Sequence, residues 1–183
     1  MTGLERLETA LAHREPDRVP FDLGGTETSG ISVTALENWL RLLGLPHRPV
    51  EIFSLATQLG RIEEPVLQKL GVDTRCLRTR VPVGQEPLLR EDERHRFYED
   101  EWGIRWQMPK PHGLYYDIGR FPLAACASVR DVERHRWPDP HDPSRYAGLS
   151  AEARRLNADS GAGLVMERHT GGIFETAWWL RGL

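Results

Sequence analysis

Glu15-Pro16-Asp17-Arg18-Val19-Pro20-Phe21-Asp22-Leu23-Gly24-Gly25 reads as the end of a helix, a very short apolar strand and a glycine-rich loop. Upstream, Leu4, Leu7 and Leu11 recur at helical spacing, and Thr2 with Glu5 has the spacing of a capping box, so an amphipathic helix is expected to run to about His13. Pro16 stops it. The strand at Val19 to Leu23 then delivers Asp22 to the loop Gly24 to Gly30. There the carboxylate either accepts a hydrogen bond from a substrate amide or hydroxyl, or caps the turn at Gly24.

Downstream the same alternation continues. Leu36, Leu40 and Leu43 share one face of a second helix that Gly44 ends. Ile62, Val66, Leu67 and Leu70 mark a third, which closes at Gly71 and passes directly into a strand at Val72 to Leu77. Helix followed at once by strand is the rhythm of an α/β protein. Between about residues 88 and 120 the pattern changes to short strands at Arg94 to Tyr98, Ile104 to Met108 and Leu114 to Ile118. These predict a small antiparallel meander, too poor in apolar surface to stand alone and expected to act as a flap on the main body. Ser128 with Asp131 has capping-box spacing, Trp137-Pro138-Asp139-Pro140 breaks the chain, and Asp142-Pro143 starts a helix carrying Tyr146, Leu149, Ala153 and Leu156. Gly163 to Glu167 reads as a buried strand, His169 to Gly172 as a turn, and Ile173 to Leu180 as a last helix.

Composition bounds what the chain can do. A net charge of −3 over 183 residues gives no basic field to gather nucleic acid. No apolar run approaches the roughly 18 residues of a membrane span, and the N-terminus lacks the apolar core of a signal peptide. Cys76 and Cys126 are the only cysteines and fall in no Cys-x-x-Cys pattern, so a reducing cytoplasm is expected and no metal site is assigned to this chain. Three core strands make a parallel sheet with exposed edges. The last helix also crowds together Ile173, Phe174, Ala177, Trp178, Trp179 and Leu180, so further chain or a second subunit is expected to pack there.

The opening Arg6-Leu7 to Ala10-Leu11 with Glu15 to Pro20, the Leu70-Gly71-Val72-Asp73 junction, Asp100-Glu101-Trp102-Gly103, Trp137-Pro138-Asp139-Pro140 and Gly171-Gly172-Ile173-Phe174-Glu175 with Leu180-Arg181-Gly182 resemble the uroporphyrinogen decarboxylase superfamily. They look most like its methyltransferase-like branch. Members are single (β/α)₈ barrels about twice this length, so the resemblance implies that residues 1–183 are the N-terminal half of a TIM barrel with a small antiparallel β insertion.

True decarboxylases follow the first strand with an arginine-rich loop that grips a ring of carboxylates. Here no lysine or arginine lies between Arg18 and Arg41, and Asp22 and Glu27 would repel such a substrate. The methyltransferase-like members move a methyl group between a corrinoid, usually carried on a partner protein, and a thiol or pterin acceptor. Where the acceptor is a thiol, zinc is held by residues of the second half of the barrel. No zinc ligand is therefore carried onto His95, His112, Cys76 or Cys126. The expected activity is corrinoid-linked methyl transfer. The alternatives are uroporphyrinogen decarboxylation in porphyrin and heme biosynthesis, and an inert fragment or binding half that needs another chain.

Chemistry in a barrel gathers at the C-terminal ends of the strands. Asp22 and Glu167 are the expected catalytic carboxylates. The resemblance makes Asp73, His169, Gly171, Gly172 and Trp178 the expected substrate contacts: Asp73 resembles the aspartate with which decarboxylases hold pyrrole nitrogens, the alternative being a role in the helix-to-strand turn, and for Trp178 the alternative is core packing. Gly171-Gly172 opens a helix whose free N–H groups favour an anion. Trp178 falls at a position where decarboxylases carry a tyrosine, and it can stack on a planar ligand.

Overall fold

The computed structural model describes residues 1–45, 49–166 and 171–183. In chain order the elements are α1 (Gly3–Leu11), α2 (Val33–Leu42), β1 (Ile52–Ser54), β2 (Leu59–Gly60), α3 (Glu64–Leu70), β3 (Thr74–Leu77), β4 (Arg90–Glu91), β5 (His95–Glu99), β6 (Arg105–Pro109), β7 (Asp117–Arg120), α4 (Val129–Glu133), α5 (Leu149–Ser160), β8 (Gly163–Met166) and α6 (Ile173–Arg181). This is a mixed α/β protein. Among the described residues the strands form three small sheets, none closed into a barrel, where the resemblance implied half of one. The backbone divides into two compact units, residues 1–79 with 148–167 and residues 80–147 with 168–183.

In the first unit the local signals act as expected. Thr2 and Glu5 form their reciprocal cap, Glu5 N donating to Thr2 Oγ1 at 3.2 Å and Thr2 N to Glu5 Oε2 at 2.7 Å. Ser32 caps α2, whose Leu36 and Leu40 join Ile62, Val66, Leu67 and Val72 in the core. Gly71 takes the left-handed conformation at φ +67° that ends α3, and the chain turns into β3. β3 pairs in parallel with β8, Thr74 opposite Gly163 and Cys76 opposite Val165. α5 covers this pair, and α1 lies against β8, Leu4 N donating to Gly161 O at 3.0 Å.

Val19 to Leu23 runs beside the start of β3 but is not a strand. The reason is chemical. Asp73 N donates to Phe21 O at 2.8 Å, yet the amide of Phe21 is taken by the Asp73 carboxylate, and Pro20 has no amide to give. A second expectation also fails locally. Asp142 and Pro143 do start a helical turn, Ser144 N donating to Asp142 Oδ1 at 2.9 Å, but it lasts only to Tyr146. Gly148, at φ +82°, separates it from α5.

Arg6 is the buried residue of α1, while Leu11 is exposed. Its guanidinium donates to both oxygens of Asp17, at 2.6 and 2.8 Å, and to Asp73 Oδ1 at 2.5 Å. Chiefly through Arg6, the Asp17 carboxyl is held well below the usual carboxylate range. A carboxyl whose proton affinity falls on folding contributes stability that is present above its unfolded value and lost as acid protonates the folded form. The urea midpoint is therefore expected to fall below about pH 4, and to fall less steeply in Asp17→Asn. Parallel acid profiles for the two proteins would contradict this assignment.

The second unit contains a four-stranded antiparallel sheet, β4-β5-β6-β7, one strand more than the sequence suggested. Its last strand starts at Asp117, leaving Leu114 and Tyr115 exposed. Ile104, Leu123 and Leu180 are buried at its centre, with Trp106 and Trp179 meeting edge to face at 5.6 Å. Part of the apolar load of α6 is thus used on the meander: Leu123 N donates to Leu180 O at 2.8 Å. Ile173 and Phe174 remain 96% and 71% exposed. Among the described residues no helix is long and apolar enough to cross a membrane.

Candidate functional site

Successive strand residues face opposite sides of a sheet, and β3 uses that alternation to separate scaffold from candidate site. Asp73 and Arg75 share one side. Asp73 is 4% exposed, and each of its oxygens accepts two donors: Oδ1 from Arg6 Nη1 and Arg18 Nη2, Oδ2 from Arg18 Nη1 and the Phe21 amide. Arg75 is buried against Glu64, its Nε and Nη2 donating at 2.7 Å each. Asp73 thereby holds α1 and the Pro16 to Phe21 segment at the N-terminal end of β3, in keeping with the structural alternative at this helix-to-strand turn.

Thr74, Cys76 and Arg78 alternate onto the other side. Thr74 is 3% exposed, and its hydroxyl donates to Asp22 Oδ1. Gly25 N reaches the same oxygen at 3.2 Å. The rest of the loop is folded on its own hydroxyls: Gly24 N donates to Ser29 O at 2.9 Å, Thr26 N to Ser29 Oγ at 3.1 Å, and the Thr26 and Thr28 hydroxyls lie 2.8 Å apart. Of the two uses foreseen for Asp22, the cap on the glycine turn is formed, at Gly25. Oδ1 caps the turn, and among the described residues Oδ2 has no hydrogen-bond donor.

Cys76 stands next to this carboxylate, half-buried, and burial pushes its thiol up, away from the thiolate that would make it a nucleophile or metal ligand. Arg78 closes the row. Its Nη1 donates to Phe53 O at 2.6 Å, its guanidinium lies 3.7 Å over the Phe53 ring, and burial lowers its affinity for the proton while Cys76 and Glu27 work to restore it. A cation does stand by the glycine loop, therefore, delivered by the end of β3. The parity of positions 74, 76 and 78 was the available signal.

Gly171, Gly172 and Trp178 belong to the second unit. The N-terminus of α6 already receives an anion from its own chain, because Gly172 N donates to Glu175 Oε2 at 2.6 Å. Gly171 is left-handed, at φ +73°, and a methyl group there would meet the Trp179 ring at 2.9 Å. Trp178 packs edge-on against Trp179 at 6.0 Å. Glu167 and His169 lie outside the described residues.

The second unit also has a cleft of about 540 Å³ lined by Glu86, Phe97, Glu99, Asp100, Glu101 and His135 among others. Its acidic groups are engaged within the protein. Glu99 pairs with Arg120, Glu101 with Arg145, and Asp100 accepts from Trp102 N, Ile104 N and the Trp106 indole. Among the described residues no three or more His, Cys, Asp or Glu side chains gather as metal ligands.

The fold and this site define a mixed α/β protein with a carboxylate locked beside a parallel strand pair. Comparison with known protein families, curated proteins and solved structures finds no match to the chain.

Proposed function

We propose that this chain is the N-terminal half of a barrel of the uroporphyrinogen decarboxylase superfamily and works in corrinoid-linked methyl transfer, with a thiol or pterin as acceptor. The observation that carries this reading is the setting of Asp22. Its carboxylate is locked by the Thr74 hydroxyl and the Gly25 amide, beside a loop that has no lysine or arginine of its own. A corrin ring carries carboxamide side chains, whose N–H groups a carboxylate accepts. A porphyrinogen carries carboxylates, which Asp22 and Glu27 would repel at short range, while Arg78, the cation beside the loop, is turned to Phe53 O and the Phe53 ring. The corrinoid would come on a partner protein.

The same reading makes this half dependent on further βα units or on a second subunit. A parallel sheet is normally buried on both faces and extended beyond two strands, and among the described residues β3 with β8 supplies two. Titration of the protein with methylcobalamin and with uroporphyrinogen, followed by tryptophan fluorescence and product analysis, tests the proposal. Saturable binding of methylcobalamin with no loss of carboxylate from the porphyrinogen is the expected result. Release of carbon dioxide from the porphyrinogen would overturn it.

A further inference from the structure

We propose that Thr74 is a positioning residue, whose hydroxyl fixes Asp22 so that Oδ2 is presented as the open acceptor for a carboxamide N–H on the rim of the corrinoid ring. The inference rests on the function proposed above and names the part of the ligand that Asp22 would meet. Three observations support it.

First, Thr74 is the opening residue of β3 and almost fully buried, so its hydroxyl has few alternatives to Asp22. Second, Asp22 Oδ1 is held from two directions, by Thr74 and by the Gly25 amide, and rotation of the carboxylate would break both bonds. Gly25 is itself fixed. A methyl group there would collide with Asp22 Oδ1 and come within 2.7 Å of Val165 Cγ2, which seats the loop directly on β8. Third, the two donors converge on one oxygen only.

A carboxylate immobilised in this way loses little freedom when a ligand N–H docks, and that economy is what a positioning residue provides. The ligand chemistry follows from what Oδ2 can do. An ionised carboxylate accepts and does not donate, so the group facing it must bring a hydrogen: an amide, as on a corrin ring, and not a second carboxylate.

The test uses the full chain, with methylcobalamin as probe, in Thr74→Val, Thr74→Ser and Asp22→Asn. Valine keeps the shape of threonine without the donor and should weaken methylcobalamin binding by about tenfold. Serine restores the hydroxyl and should bind within about threefold of the parent protein. Asp22→Asn can still accept at one oxygen, but can turn an NH₂ group toward the ligand, and should lose at least as much affinity as Thr74→Val. The ¹³C carboxyl resonance of Asp22, measured without ligand, should move in Thr74→Val and return in Thr74→Ser. An unmoved resonance overturns the positioning role whether or not the corrinoid binds. A moved resonance with unchanged methylcobalamin affinity overturns the assignment of Oδ2 to the ligand. If the parent protein does not bind methylcobalamin at all, the functional reading falls and the assignment of Oδ2 falls with it, while the resonance still reports on Thr74. Should Thr74→Val fail to fold, Thr74→Ser and Asp22→Asn decide the question: parent-like affinity in Asp22→Asn overturns the proposal.

Discussion

Replacing Arg145 by methionine is expected to cost about 3–5 kcal/mol of stability, because it strips a buried carboxylate of its bidentate cation. Arg145 and Glu101 have side chains only 8% and 5% exposed, and both guanidinium Nη atoms reach the two Glu101 oxygens. Arg145 Nε also donates to Asp139 O at 2.9 Å. One arginine therefore joins the Asp100-Glu101-Trp102-Gly103 turn to Trp137-Pro138-Asp139-Pro140. The junction is completed by Trp102 and Trp137 edge-on at 6.2 Å, and by His135, whose ring nitrogen lies 3.1 Å from Trp102 O. Coulombic attraction alone does not make such a pair favourable, since both ions lose their water. The cost of breaking it comes from leaving one ion buried. The double change Arg145→Met with Glu101→Leu should accordingly recover most of the loss. Urea unfolding of the parent, both single variants and the double variant measures the coupling. A cost below about 1 kcal/mol for Arg145→Met would remove the pair from the energetics of this unit.

The elements that the sequence predicts well are those whose causes are local. The Thr2–Glu5 and Ser128–Asp131 caps, the Gly71 stop before β3 and the Leu36–Leu40 stripe each depend on residues within a few positions of one another, and each is found. What fails depends on distant partners. Val19 to Leu23 has the composition of a strand, but a side chain 52 residues away takes the amide that a ladder would need. The apolar stripe of α1 holds for Leu4 and Leu7, which are half-buried, but not for Leu11, and the most buried residue of the helix is Arg6, because Asp17 and Asp73 converge on it. Asp22 is legible as a candidate from its place beside a glycine loop. Its lock is not, since Thr74 is an ordinary strand residue until the fold brings its hydroxyl to the carboxylate. The last helix is legible only in part: crowded tryptophans signal burial but do not say against what, and here Trp179 meets Trp106 of the meander while Ile173 and Phe174 stay exposed.

Asp73→Ala should destabilise the first unit by about 3–5 kcal/mol, and Asp73→Asn by nearly as much. The two variants fail for different reasons. Alanine removes the acceptor for four donors, including the Phe21 amide, and leaves the buried Arg6 guanidinium with Asp17 as its remaining carboxylate. Asparagine keeps the shape, but it removes the charge and turns an NH₂ group toward donors that need an acceptor. Either way the Pro16 to Phe21 segment loses its tie to β3, and α1 loses a counter-ion. The amides of Phe21 and α1 should therefore exchange hydrogen faster than those of α2, whose packing on Ile62 and Val66 is independent of this network. Asp22 is the next residue in the chain, so the same variants should disorder its contact with Thr74 and weaken methylcobalamin binding, although Asp73 touches no ligand. If Asp73→Asn instead abolished binding while leaving the stability and the exchange of α1 unchanged, Asp73 would be a ligand contact after all. Its four donors would then be the geometry of a resting state, not a permanent anchor.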